Sequence, residues 1–210
     1  MAIENRLTHS SASMMWSKGI MRFYHNELAL NVPESVYFPR EDSLLLAGVL
    51  EKEKLQSKKV LEVGCGSGFL SIVMASGKAI VTAVDASKDA VEATKLNAKK
   101  NDVSLACFAS NLFSAVTSKF DLIVFNPPYL PDDSDDKTYS GGKSGREVIE
   151  KFIKQAKNHL NKNGKILLLI SSLTGEQDVL SLFHTCSFKT KIAAREKIPW
   201  EELLVIEAIV

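Results

Sequence analysis

The chain has 210 residues, 45% of them hydrophobic, which is enough for one substantial core. Its 26 basic and 25 acidic residues nearly cancel, which argues against a chain-wide positive field for nucleic acid or an acidic membrane. The cysteines and histidines are scattered, which argues against a thiol-based or metal site and suits a reducing compartment. No stretch has the apolar length of a membrane span, and residues 1–19 are too polar for a signal peptide. We therefore expect a soluble, cytoplasmic protein.

Residues 1–22 show no clear pattern, and residues 42–52 are typical of a helix. Five apolar runs then have the length and continuity of strands buried on both faces. They cover residues 58–63, 79–84, 104–108, 120–125 and 165–170. Two more helices are predicted, over 87–100 with Ser87 as N-cap and over 145–162 with an Asn163-Gly164 stop. The tail, 187–195 and 202–210, is predicted to form a hairpin.

Alternating strands and helices predict right-handed crossovers and an open, mostly parallel sheet with helices on both faces. The fold class is thus doubly wound α/β, with an antiparallel hairpin at the C-terminus. We expect one domain over residues 1–210, in which an N-terminal extension and helix (1–52) precede the core (53–210). A polar loop at 131–145 is of the kind that is often functional.

A glycine-rich turn, Glu-Val-Gly-Cys-Gly-Ser-Gly at 62–68, follows the first core strand. Glycines there let the backbone turn sharply and approach a ligand closely. A dinucleotide fingerprint would need glycine where the chain has Phe69. Asp85 ends the second core strand, where a carboxylate can accept both ribose hydroxyls. Each feature alone also fits a tight turn or a helix-capping aspartate, but together they predict a nucleoside-containing ligand.

The segment Asn126-Pro127-Pro128-Tyr129 ends the fourth core strand. Residues before proline are held extended, and prolines have no N–H to donate. The Asn126 side-chain oxygen and the Pro127 carbonyl therefore form a stiff edge that suits a planar group with two N–H donors. Tyr129 can lie against such a group. A plain Pro-Pro turn leaving the sheet is the alternative; the glycine turn upstream favours a site.

These motifs resemble those of class I S-adenosylmethionine-dependent methyltransferases that modify planar NH₂ groups, a Rossmann-like family. Residues 36–43 (VYFPREDS) resemble the Y-x-P-x-E-D-[ST] segment of short archaeal and eukaryotic HemK-like glutamine methyltransferases, and residues 140–148 (SGGKSGREV) resemble their GG-x-x-G-R-E-V segment. The resemblance runs from about Phe23 to the C-terminus. It implies a seven-stranded sheet with a reversed last strand, and methyl transfer from S-adenosylmethionine to the glutamine amide in the Gly-Gly-Gln loop of a translation release factor. A small zinc-binding activator protein is a further partner that it implies for some members.

The resemblance also implies roles for individual residues. Asn126, Pro127 and Tyr129 would hold the substrate amide. The scattered cysteines and histidines leave no residue assigned to a metal. The cofactor would be contacted by Ser43, Glu62, Gly64, Gly66, Gly68, Asp85, Asn111, Leu112 and Asn126. Asn111-Leu112 stands where the family usually has Asp-Leu beside the adenine, so a charge is lost but an oxygen acceptor remains.

Three other functions remain open from the residues. The Asn126 edge also suits the exocyclic amine of adenine in RNA or DNA. Four aspartates at 132, 133, 135 and 136 would repel phosphates and attract a basic peptide, although a solvated acidic loop explains them equally well. Lysine methylation would need a base that the sequence does not offer. A cofactor-binding but inactive subunit would have no reason to keep all the reacting groups.

Overall fold

The computed structural model describes residues 15–17, 19–129 and 145–210, and only the backbone of 15–17. The predicted polar loop with its four aspartates lies outside these ranges, except for Gly145. Within them, no helix is long and apolar enough to cross a bilayer.

Two separate sheets organise the described chain. A small antiparallel sheet contains β1 (Met15–Ser17), β2 (Ile20–His25) and β3 (Leu28–Pro33). The main sheet contains β4 (Lys59–Val63), β5 (Ile80–Asp85), β6 (Ala106–Ala109), β7 (Phe120–Phe125), β8 (Leu160–Ser171), β9 (Lys189–Ile198) and β10 (Glu201–Ile209). Its order is β6-β5-β4-β7-β8-β10-β9, parallel from β6 to β8 and antiparallel where β10 meets β8 and β9. The predicted seven-stranded, mostly parallel sheet with a C-terminal hairpin is confirmed.

The helices cover both faces of the main sheet. They are α1 (Glu41–Leu50), α2 (Phe69–Ser76), α3 (Lys88–Lys100), α4 (Glu147–Ala156) and α5 (Glu176–Thr185). Short 3₁₀ turns occupy Lys157–His159 and Ser172–Thr174. The predicted N-cap is confirmed, because the Ser87 side chain accepts a hydrogen bond from the Ala90 N–H.

The predicted end of the fourth helix is wrong. Apolar residues at helical spacing form one stripe along the predicted helix. Those from Ile149 to Ala156 are buried, but the helix stops at Ala156. Leu160, which continues the stripe in sequence, instead begins β8 opposite Phe120 of β7. Asn163 has a φ of +64° and lies where the register between β7 and β8 shifts, so it marks an irregularity in a strand and not a helix stop.

The apolar residues of the central strands alternate between two cores. On β7, Leu122 and Val124 belong to the core beneath α1, α2 and α3. Ile123 and Phe125 face the core beneath α4 and α5. Burial on both faces explains why these strands read as continuous apolar runs.

The N-terminal sheet was not predicted from the sequence. It packs on α2 and α3. The Asn97 side chain of α3 accepts from the Asn31 N–H and donates to the Asn31 carbonyl, each at 2.9 Å. The ring of Phe23 meets that of Phe69 edge-on, with 4.8 Å between the centroids. These contacts fix the segment that leads into α1.

The strand order reverses direction at β4. Chain order places β5 and β6 on one side of β4 and β7 on the other. The loops that leave β4 and β7 therefore diverge, and such a point at the carboxyl ends of parallel strands is where open α/β sheets bind ligands.

Candidate active site

A cavity of about 960 Å³ opens at this switch point. Its walls come from the loops after β4, β5, β6 and β7, from the start of α1 and from the C-terminal hairpin. The structure brings these predicted site residues together in the lining: Ser43, Glu62, Gly64, Gly66, Asp85, Asn111, Leu112, Asn126, Pro127 and Tyr129. Gly68 does not line the cavity.

The first two glycines of the turn form the cavity floor with their backbone. Gly64 and Gly66 have φ values of +68° and +52°, which side chains rarely adopt. The Gly66 N–H donates to the Asp85 carboxylate at 2.9 Å. A Cβ on Gly66 would meet no atom within 4 Å, so the space beside it is open to a ligand.

Gly68 instead has a packing role. It precedes α2 with a φ of +83°, and a Cβ there would lie 3.0 Å from the backbone and side chain of Thr94 on α3. The close approach of α2 and α3 therefore depends on this glycine.

Two matched substitutions separate these roles. We expect Gly68→Ala to destabilise the fold by about 2–4 kcal/mol, the sum of positive-φ strain and the clash with Thr94. Gly66→Ala should cost only the strain, about 1–2 kcal/mol, while weakening ligand binding in the cavity. Urea unfolding and calorimetric titration with S-adenosylmethionine measure the two effects. Equal unfolding midpoints for the two variants would contradict this assignment.

Glu62 is an almost fully buried acid in the cavity wall. It lies on β4, is 2% exposed and accepts a hydrogen bond from the Ser71 hydroxyl of α2. Burial raises the pKa of Glu62 to about 8, against the opposing effect of the Ser71 hydrogen bond. The carboxyl is therefore poised to ionise near neutral pH when a cation enters the cavity.

The loops after β5 and β6 form one corner of the cavity, and hydrogen bonds hold both loops in place. Asp85 accepts from the N–H groups of Gly66 and Ser87, at 2.9 and 2.8 Å, which leaves further lone pairs for a ligand hydroxyl. Leu112 has a φ of +50°, a strained conformation for a branched side chain. The Ser110 hydroxyl secures this turn by donating to the Leu112 carbonyl at 2.8 Å. Asn111 is exposed at the cavity edge beside it.

Asn126 connects the end of β7 to the start of α1. Its Nδ2 donates to Asp42 Oδ2 at 3.0 Å and to Ser43 Oγ at 3.3 Å. Its Oδ1 is buried and has no hydrogen-bond partner among the described residues. An acceptor left in this state costs about 1–3 kcal/mol, so its presence in a cavity wall indicates a place for an incoming N–H donor.

The comparisons with known proteins agree with this geometry. Residues 41–195 match the family described as Methyltransferase small domain. The chain belongs to this methyltransferase family. A candidate protein N5-glutamine methyltransferase of Methanocaldococcus jannaschii is 44% identical over 189 residues, which cover 86% of this chain and 95% of that protein.

Two further proteins are similar to this methyltransferase. The release factor glutamine methyltransferase of Lactococcus lactis is 34% identical over 176 residues, covering 75% of this chain and 64% of that protein. The E. cuniculi Mtq2-Trm112 complex, responsible for methylation of the eRF1 termination factor, contains a chain with a TM-score of 0.71 and 27% identity. The match covers 83% of the present methyltransferase and 98% of that chain.

Several residues that line the cavity of the methyltransferase were not predicted from the sequence. Asp42 accepts a hydrogen bond from Asn126, and Tyr37 donates to Asp42; both lie within the segment 36–43, from which only Ser43 was assigned a role. Burial, with Asp42 nearby, raises the pKa of the Tyr37 phenol well above its usual range, so it stays a donor. Further lining residues, for which no sequence signal pointed to the site, include Lys151, Ile198, Glu201 and Leu203.

Proposed function

We propose that this methyltransferase uses S-adenosylmethionine to methylate the glutamine side-chain amide in the Gly-Gly-Gln loop of a translation release factor. The observation that carries the proposal is the unpartnered Asn126 oxygen in the cavity wall. The named relatives that act on glutamine or on termination factors support the choice of substrate.

The cavity residues fit the parts of S-adenosylmethionine. Glu62 offers a carboxylate to the cationic amino group, and the open space at Gly66 admits the chain that carries it. Asp85 can accept from the ribose hydroxyls. Asn111 and Leu112 then supply a polar and an apolar contact for the adenine. When bound, this cofactor supplies an electrophilic methyl group.

The substrate amide is held by acceptors alone. Asn126 Oδ1 takes one of its N–H groups and the Pro127 carbonyl takes the other. The Asn126 oxygen is shielded in this structure, so neighbouring groups shift slightly as the amide enters, as is common in apo sites. Tyr129 is half-buried in the same wall. Burial, and to a smaller extent the nearby Asp42, raises the pKa of the Tyr129 phenol. The ring therefore stays neutral and can lie against the planar amide.

This arrangement addresses the weak nucleophilicity of an amide nitrogen, whose lone pair is delocalised into the carbonyl. Acceptors fixed on both hydrogens return electron density to nitrogen and favour the positive charge that develops there. Alignment with the methyl group contributes up to about 7–11 kcal/mol in well-oriented intramolecular reactions. The proton lost from nitrogen can pass to Asn126, to the Pro127 carbonyl or to water.

We further propose that residues 1–210 form one methyltransferase domain, since β3 and α1 pack on the core through α3 and α2. Its expected partners are the release factor and, by the family resemblance, a small zinc-binding activator protein. The relative Mtq2, seen in complex with Trm112, supports the second partner.

A labelled-methyl transfer assay tests the substrate assignment. The protein is incubated with labelled S-adenosylmethionine and a release factor that carries Gly-Gly-Gln, with a matched factor in which that glutamine is alanine, and with RNA and DNA. We expect label on the first factor alone, at the glutamine when the site is located by mass spectrometry. Label that persists on the alanine factor, or that forms only on nucleic acid, would overturn the assignment in favour of another protein residue or of adenine.

A further inference from the structure

The buried carboxylate of Asp42 is hydrogen-bonded to Asn126, whose Oδ1 is the proposed acceptor for the substrate amide. Asp42 is 3% exposed and lies in the first turn of α1. Its Oδ2 accepts from Tyr37 Oη at 2.8 Å and from Asn126 Nδ2 at 3.0 Å. Its Oδ1 accepts from the N–H and hydroxyl of Ser43, at 2.6 and 3.2 Å. Four donors therefore hold this carboxylate in one position.

The network leaves the Asn126 amide a single orientation. The two ends of an amide have nearly the same shape, but a carboxylate can only accept hydrogen bonds. The NH₂ end must therefore face Asp42. Its second hydrogen is directed to the Ser43 oxygen, whose own proton is donated to Asp42. Both donors of Asn126 are satisfied, and Oδ1 is turned to the side without a partner.

Asp42 also acts on the charge of that oxygen. A donor group bound to a carboxylate is polarised, and the effect passes along a chain of hydrogen bonds at low dielectric. Because the Asn126 amide is conjugated, electron density displaced at Nδ2 increases the negative charge on Oδ1. The oxygen becomes a better acceptor for the N–H of a substrate amide.

We propose that Asp42 is the positioning residue of this methyltransferase: it fixes and polarises the Asn126 amide so that Oδ1 is presented to the substrate. Tyr37 and Ser43 hold the carboxylate in place. The inference rests on the proposed function, in which Asn126 Oδ1 binds the amide that is methylated. Asp42 itself touches neither substrate nor cofactor in this scheme.

A double-substitution cycle tests the coupling between Asp42 and Asn126. We expect Asp42→Asn to lower kcat by about tenfold to a hundredfold, as removal of such orienting partners does, with little change in cofactor affinity. On an Asn126→Ala background the same change should lower kcat by less than about twofold more, because the group through which Asp42 acts is gone. Full additivity would overturn the proposal, because a merely structural role predicts independent losses.

Asp121→Asn is the matched control. Asp121 lies on β7 like Asn126 but at its opposite end, and it accepts from the Asn161 side-chain amide at 2.8 Å. The control thus removes a carboxylate that binds an asparagine amide, outside the cavity. We expect it to leave kcat within about twofold of the wild-type value; a loss like that of Asp42→Asn would overturn the specific role of Asp42.

Nuclear magnetic resonance of the Asn126 side chain tests the role of Asp42 without measuring methyl transfer. The Asn126 side-chain signals are identified by their loss in Asn126→Ala protein labelled with ¹⁵N-asparagine. In the wild-type protein we expect both NH₂ protons to be protected from solvent exchange, and in Asp42→Asn we expect their signals to move. Exchange at the rate of exposed asparagines, or signals that stay in place, would overturn the role of Asp42. Absent wild-type turnover on the release factor would instead contradict the proposed function, while the spectra still test Asp42.

Discussion

Asn126→Ala is expected to lower methyl transfer by about 10²–10³-fold, the usual cost of removing one preorganised hydrogen-bonding group from a reacting centre. The substitution deletes Oδ1, which binds one substrate N–H in the proposed mechanism, and leaves the Pro127 carbonyl as the remaining acceptor. Cofactor affinity should stay within about tenfold, since Glu62, Asp85 and the glycine turn are untouched. Single-turnover kinetics and calorimetry measure the two quantities separately.

Asn161→Ala is the control for this prediction. Its side chain donates to Asp121 at the far end of β7, so it removes an asparagine with a comparable partner outside the cavity. It should lower the free energy of unfolding by about 1–2 kcal/mol and leave transfer intact. Undiminished turnover in Asn126→Ala would remove Asn126 from the mechanism.

Glu62→Gln is expected to change how stability depends on pH. The pKa of Glu62 is about 8 in the folded chain, against 4.5 for an ordinary glutamate, so the folded state holds its proton more tightly. The resulting stabilisation is present in full below pH 4.5 and is lost as the pH rises to about 8. Each pH unit corresponds to about 1.4 kcal/mol, so the total loss is on the order of a few kcal/mol. Glutamine does not ionise, and urea unfolding of the variant should lack this decline.

The same variant should bind S-adenosylmethionine about tenfold to a hundredfold more weakly near pH 8, where the wild-type carboxylate can ionise and the ligand amino group still carries a proton. Wild-type affinity should rise as the pH approaches 8, because the cationic amino group pairs with ionised Glu62. Glu92→Gln, on the exposed side of α3, should preserve both pH dependences. A Glu62→Gln variant whose unfolding still follows the wild-type pH curve would contradict the raised pKa.

Most of the main sheet was predictable because the sequence patterns that indicate its strands are local. Each of the seven main-sheet strands corresponds to an extended segment predicted from the sequence. The central strands β4, β7 and β8 read as continuous apolar runs because they are buried on both faces. The glycine turn and Asp85 were equally readable, because parallel strands end at one edge of the sheet. Their convergence on one cavity follows from the strand order.

Other features were missed or misread for physical reasons. In the N-terminal sheet, β2 buries Phe23 and His25 and β3 buries Leu30 and Val32, with more exposed residues between them, but both strands are short and their turn at Asn26 lacks a glycine. Leu160 fits a helical stripe and a strand start equally well, and pairing with β7 decided between them. No local pattern predicts the bond between Asp42 and Asn126, which lie 84 positions apart.

That long sequence separation links catalysis to the docking of the N-terminal segment. Asp42 and Ser43 reach Asn126, and Tyr37 reaches Asp42, only when α1 lies against the main sheet. Local opening of this segment would spare the glycine turn and Asp85, which belong to the sheet, while releasing the Asn126 amide to rotate. Such an opened molecule would keep the cofactor contacts of Glu62, Asp85 and the glycine turn but would no longer transfer the methyl group. Activity should therefore disappear at lower urea concentrations than the main sheet does, and a chain whose residues 36–50 have not docked stays catalytically silent.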